Sequence, residues 1–287
     1  MSPLYSLPVL GLTLLLCGGA AAQTARESRS QREERAIELL RDNRVAEARA
    51  ELEALEKEDP GNARIEAYLA TAELRAGDIE RAMARTRRLL EDDPGNVDLH
   101  VLLAQAYMAN RDWQLAEKEW RAILEKRPNS EEAHFQLATT LLQLDRFQDG
   151  LREAGRAVEI NPRRYDAHAL RGNILASMGR IDEAVKEWTA ALAGDPNNAA
   201  ALAGLAVHLR TSQPDVALEY ARRAVELSNW DVVGPIRILA LVCRSRGEYS
   251  RAREVLEKAI RKFPDNPLLT GELRLTNSEE KAKSKKQ

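Results

Sequence analysis

Residues 129–162 read NSEEAHFQLATTLLQLDRFQDGLREAGRAVEINP, and this stretch decides the fold. His134, Leu137, Ala138 and Leu141 recur at i, i+3, i+4 and i+7, which marks one face of a helix. After a break at Leu144-Asp145-Arg146, the residues Phe147, Gly150, Leu151, Ala154, Ala157 and Val158 mark a second helical face. Two helices joined this closely pack antiparallel. A large side chain at their crossing would hold the backbones apart, so Ala138 and Gly150 are placed at the closest approach. Pro162 cannot continue a helix and restricts the residue before it, and so ends the unit.

The same pattern extends in both directions. Proline stands at Pro60, Pro94, Pro128, Pro162 and Pro196, each 34 residues after the last, and again at Pro264, with Trp230 in the skipped place. Two rows of small residues keep that step: Ala36, Ala70, Ala104, Ala138, Gly172, Ala206 and Ala240, then Ala48, Ala82, Ala116, Gly150, Ala184 and Ala252. A fixed period of this length means stacked repeats, each burying its apolar face against its neighbours. Asp-Pro-Gly-Asn at 59–62 and 93–96 is a turn signal between units.

On these residues the chain resembles the tetratricopeptide repeat (TPR) family. The 34-residue period, the two small positions and the terminal proline are that family's pattern, joined by Gly77, Gly179 and Gly247 in the helix-to-helix turn and by Trp120 and Trp188. The resemblance implies an all-α TPR solenoid, a right-handed superhelix of antiparallel helix pairs. Seven repeats are assigned, at 29–62, 63–96, 97–130, 131–164, 165–198, 199–232 and 233–266. A linker at 23–28 precedes them. A capping segment at 267–276 and a polar, basic, disordered tail at 277–287 follow. In the sixth unit the small residue is Ala217, one place early, so the turn at Ser212-Gln213-Pro214 is one residue short and Asn229-Trp230-Asp231 restores the phase. In the first unit Arg35 stands where later units have leucine, and is read as a polar outer cap.

Charged residues make up 31% of the 287 and aromatics 5%, as expected for paired helices burying narrow faces. The unbroken register argues for one elongated domain. A net charge of −2 gives no global field favouring nucleic acid. The related pentatricopeptide class reads RNA with a similar helix pair, and an RNA-binding solenoid in the cytoplasm is the alternative from another class. The terminal prolines and a pI of about 6.2 speak against it.

Residues 7–17, LPVLGLTLLLC, form an apolar core of signal-peptide length, and Ala20-Ala21-Ala22 offers small residues for cleavage before Gln23. A signal peptide at 1–22 and an exported, periplasmic or secreted protein are therefore expected. The alternatives are an uncleaved membrane anchor, suited by Arg26, Arg29, Arg32 and Arg35 after the core, and a lipoprotein through Cys17, which Leu16 in the preceding place disfavours.

After cleavage Cys243 remains alone, in a row of buried apolar positions, and is read as a core side chain. His100, His134 and His168 keep the 34-residue step and invite reading as a metal ladder. Equivalent places on successive repeats lie at least ~10 Å apart, whereas zinc holds its ligands at ~2 Å, so the histidines are structural and no metal or cofactor is expected. Glu117, Glu119, Glu153 and Glu187 are read as solvated outer surface. No P-loop, GxSxG, HExxH or paired CxxC occurs, and no enzyme is expected.

A binding surface remains. With about 100° between successive residues, Phe135, Thr139 and Leu142 point away from the partner helix that Leu137, Ala138 and Leu141 face. The resemblance implies that this face lines a concave groove holding a protein or peptide. One row there reads Leu40, Leu74, Met108, Leu142, Ala176, Arg210 and Arg244, apolar first and basic later, with Val101, Phe135 and Leu241 on the apolar side, Arg237 on the basic side and Asn173 between. An acidic group at the basic end and apolar anchors at the other are expected of the ligand. The Lys and Asn set with which family members clamp chaperone tails is echoed only at Arg171-Gly172-Asn173, so that partner is not expected. An exported adaptor for assembling an envelope, secretion, pilus or polysaccharide-export complex is the functional expectation.

Overall fold

The computed structural model describes residues 28–285. The expected signal peptide, Cys17 and the first part of the linker lie outside the described residues. Within them the chain is helical, with no strand. The first four helices are α1 (Arg29–Arg41), α2 (Val45–Glu58), α3 (Ala63–Ala76) and α4 (Ile79–Asp92). Then come α5 (Val97–Asn110), α6 (Trp113–Lys126), α7 (Glu131–Gln143), α8 (Phe147–Ile160), α9 (Tyr165–Ser177) and α10 (Ile181–Gly194). The last are α11 (Ala199–Leu209), α12 (Pro214–Leu227), α13 (Val233–Ser245), α14 (Tyr249–Lys262) and α15 (Pro267–Ser284). Each expected repeat holds one pair of them.

Two compact units form, divided between Asp92 and Asp93. In the first, α1 packs on α2, α2 on α3 and α3 on α4. In the second, each helix from α5 onward packs on the next, and alternate helices also touch, α7 with α9, α9 with α11, α11 with α13 and α13 with α15. The first helices of successive repeats thus lie side by side, as a solenoid requires.

Local chemistry explains the boundaries. Asn62, Asn96, Asn198 and Asn266 cap α3, α5, α11 and α15 by accepting hydrogen bonds from backbone N–H groups of the first turn, and Ser130 does the same for α7. This is why the residue two places after a turn proline is polar and short at five of the six, the exception being Arg164 after Pro162, which gives α9 no side-chain cap. Within a repeat, the chain reverses through one left-handed residue, at Asn43, Gly77, Arg111, Asp145, Gly179 and Gly247, all with positive φ. Glycine reaches that region without a Cβ clash, and Asn and Asp enter it more readily than other side chains. The sixth repeat has no such residue: Gln213 has φ −137°, α12 starts at Pro214, and the following turn spans 228–232 with Asn229 and Trp230 both at positive φ. The short turn and the later compensation read from the sequence are both present.

The small rows are buried, and Gly150 lies where expected. A Cβ there would stand 3.4 Å from the Ala138 carbonyl oxygen and 3.4 Å from Ile174 Cδ1. Trp120 and Trp188 are among the largest fully buried side chains, and Cys243 is fully buried, which pushes its thiol pKa up. The C-terminal expectation is corrected: α15 continues to Ser284, so residues 277–284 are helical, with Thr276 buried and Arg253 of α14 bonded to Asn277 and Glu280.

Candidate partner-binding face

The first-helix face of the second unit carries most of the expected site. Val101 and Met108 on α5, Phe135 and Leu142 on α7, Asn173 on α9 and Leu241 on α13 are all half-buried. Phe135 and Leu142 lean on a small core formed by Ala138, Ala154, Leu170 and Ile174. They therefore fill space between α7 and α9 and still keep an accessible edge. Met108 Sδ accepts a hydrogen bond from Trp120 Nε1 at 3.3 Å. Leu74 is half-buried on α3 in the first unit.

Charge modifies this apolar surface at Phe135. The Arg164 guanidinium stands 4.1 Å from the ring centroid and pairs with Glu131 at 2.6 Å and Glu132 at 2.7 Å. A cation over an aromatic face is favourable, more so when partly desolvated. Nothing in the repeat pattern of small and apolar residues pointed to Arg164.

The basic end is corrected in kind. Arg244 is buried, and its guanidinium pairs with Glu272 of α15 at 2.7 Å, with Glu279 3.6 Å away. Arg237 pairs with the same Glu272 at 2.9 Å. The acidic group expected from a ligand is supplied by the chain's own last helix, because α15 takes the place of a further first helix. Arg210 ends α11, donates to the Val207 carbonyl, and has no carboxylate partner among the described residues. Asn173 Oδ1 is likewise engaged, accepting from Trp188 Nε1 at 3.0 Å.

Around Trp188 the structure brings together residues that were read separately. A Cβ on Gly172 would lie 2.5 Å from Trp188 Nε1, and one on Gly204 would lie 2.3 Å from Trp188 Cε2. The indole occupies the space that two side chains would fill. His208 stacks on it at 5.3 Å between centroids, and burial, then the Arg210 charge, hold that imidazole below its ordinary pKa. The signal was present: both glycines sit at helix positions, where glycine costs about 1 kcal/mol against alanine unless packing needs it.

The histidines form a second ladder. His100, His134 and His168 place Nδ1 at 2.6, 2.7 and 2.8 Å from Glu119, Glu153 and Glu187 respectively. In the first two, Nε2 also meets the carbonyl oxygen of Pro94 or Pro128 at 3.0 Å. The reading of these glutamates as solvated surface is overturned, since their side chains are only 13%, 16% and 18% exposed. Glu117 is also mostly covered and joins Arg121 and Arg146 at 2.8 and 2.7 Å. The same two positions hold Arg32 and Glu51, 2.5 Å apart, in the first repeat, and the reversed pair Glu66 and Arg85, 3.9 Å apart, in the second. In the sixth, whose second helix starts one residue early, they are buried Leu202 and half-buried Tyr220, and in the seventh Ile236 and Val255, both buried. The 34-residue recurrence of glutamate opposite histidine was legible in the sequence.

Among the described residues no group of three or more His, Cys, Asp or Glu could hold a metal ion, and no helix is long and apolar enough to cross a membrane. Replacing His100, His134 and His168 together by Gln is expected to lower the melting temperature, through three lost partly buried pairs, and to leave zinc content at zero before and after. Stoichiometric zinc in the wild type, lost in the variant, would contradict this.

Comparison with known proteins agrees with the geometry. Tetratricopeptide-repeat sequence profiles match residues 39–93, 73–139, 135–188, 169–230 and 233–273. No curated protein matches the chain. A tetratricopeptide repeat protein from Parabacteroides merdae ATCC 43184 superposes with a TM-score of 0.72 at 16% identity, covering 86% of this chain and 98% of that one. MamA from Desulfovibrio magneticus RS-1 gives 0.54 at 15% identity over 60% of this chain and 97% of that one. MamA of MSR-1 gives 0.51 at 21% identity over 58% and 97%. These likenesses are of fold. With helix pairs in place of every expected repeat and profile matches along nearly all of them, the chain belongs to the tetratricopeptide-repeat family, whose repeats serve as protein-interaction scaffolds.

Proposed function

We propose that this chain is an exported, non-enzymatic adaptor that holds a segment of a protein partner on the first-helix face of its repeats, in the assembly of an envelope, secretion, pilus or polysaccharide-export complex. The observation that carries the reading is the half-exposed apolar row of Val101, Met108, Phe135 and Leu142 on adjacent repeats of a scaffold fold. Export rests on the apolar run at 7–17 and the alanines at 20–22. Because Glu272 holds Arg237 and Arg244, the partner segment engages the apolar end, and Arg210 is the cation of that row left for an acidic group.

Capture of the native partner followed by calorimetric titration tests the site. Leu142→Asp is expected to weaken binding at every salt concentration by about ten- to a hundredfold, the worth of burying one leucine-sized anchor. Arg210→Ala should matter at low salt and fade as the Debye length shortens. Leu142→Asp with unchanged affinity and melting temperature would remove this face from consideration. Fractionation with amino-terminal sequencing tests location: Gln23 should begin the mature chain in the envelope or periplasmic fraction, and an intact Met1 in the cytosol would contradict export.

A further inference from the structure

Each turn joining one repeat to the next has proline in its second place, except the sixth. There Ser228-Asn229-Trp230-Asp231-Val232 carries one residue more, with Asn229 in the second place and Trp230 at the 34-residue step where proline would stand. Asn229 and Trp230 have φ of 47° and 62°, a region that bulky side chains avoid. Leu227, just before the turn, and Val232, at its end, are 42% and 50% exposed. The local sequence therefore spends conformational strain and exposed apolar surface on one turn.

Trp230 lines two surface cavities, of about 270 and 280 Å³. The first is floored by Val225, Leu239 and Val255. Cations dominate the surroundings: Arg222 and Arg251 line the first cavity, Arg261 and Lys262 the second, and Lys258 both, against the acidic Glu226 and Glu254 of the first. Arg251 is held by Glu248 at 3.2 Å and Lys262 by Asp231 at 2.5 Å. Arg222, Lys258 and Arg261 have no carboxylate partner among the described residues, and the Lys258 ammonium lies 3.7 Å from the centre of the Trp230 ring.

We propose that the Trp230 turn is a second docking surface, separate from the first-helix face, that takes an acidic protein segment bearing an apolar side chain. The apolar group fills the cavity over Val225, Leu239 and Val255, against the indole. Its flanking carboxylates meet Arg222, Lys258 and Arg261. The excess of unpaired cations selects an acidic occupant, and two concave pockets that share one ring suit side chains projecting from a peptide.

The test is fluorescence-anisotropy titration of the full chain with a fluorescein-labelled peptide of alternating aspartate and leucine. A lysine–leucine peptide and phosphatidylglycerol vesicles serve as the other probes. The acidic peptide is expected to bind saturably, more weakly as salt rises, and better than the basic one. The double change Arg222→Glu, Lys258→Glu, at solvent-accessible positions, and separately Trp230→Ala, should each weaken it at least about tenfold. Leu142→Asp should leave it unchanged, which separates this surface from the first-helix face. If Trp230→Ala does not fold, the charge-reversal variant carries the test alone. No saturable binding, equal binding by the charge-reversal variant, loss in Leu142→Asp, or vesicle binding in place of peptide binding would each overturn the proposal.

Discussion

Gly204→Ala is expected to destabilise the second unit by about 2 kcal/mol, whereas Gly150→Ala leaves stability unchanged or raises it. Both place a methyl group on a helix, and both gain about 1 kcal/mol of helix propensity. Their surroundings differ. At Gly150 the new carbon meets its neighbours at 3.4 Å, an ordinary contact, while at Gly204 it would stand 2.3 Å from the Trp188 ring. That ring cannot retreat, because Gly172 backs its other contacts, Asn173 holds its N–H at 3.0 Å and it is 2% exposed. Gly150→Leu should be costly where Gly150→Ala is not, since the longer side chain must enter the α7–α8 crossing. Urea melts of the three variants check the ordering, and a Gly204→Ala protein as stable as Gly150→Ala would show that the indole is not clamped. A smaller ring site, Trp188→Leu, should recover part of the Gly204→Ala loss.

Glu272→Ala is expected to cost about 3 kcal/mol, the usual penalty for leaving a buried charge without its partner. Arg244 is the charge in question, 8% exposed, with Glu279 too distant at 3.6 Å to replace a direct bond. Arg237 loses its partner as well but is far more exposed, and adds little. Replacing both members, Arg244→Met with Glu272→Leu, should be close to neutral, because the penalty belongs to the unpaired charge and not to the lost attraction. Chemical denaturation followed by circular dichroism measures both variants. A Glu272→Ala protein with wild-type stability would mean that α15 does not close the end of the first-helix face.

The repeat register was legible because each unit must reuse the same few contacts, so its small residues, turn prolines and caps fall at a fixed step. Even the irregular sixth unit could be read, since the shifted Ala217 and the extra turn residue are defects in that step. What the periodic reading missed are contacts between positions that are not equivalent. Glu272 lies beyond the last repeat and has no row to announce it, and Arg164 reaches Phe135 from the last place of the same repeat. The glutamates opposite the histidines did have a row. They were missed because a charged residue on an outer helix reads as solvated until the facing helix is known to carry its partner 19 residues earlier.

The central claim is that the first-helix face of the repeats holds the partner, and site-specific photo-cross-linking in the intact protein tests it most directly. A photoreactive residue replaces Leu142 on that face or, as a control, Leu115, which is 44% exposed on the second helix of its repeat. The expected result is one discrete cross-linked partner from position 142 and none from 115. The same partner cross-linked from 115 and never from 142, in a protein that melts like the wild type, would contradict the account.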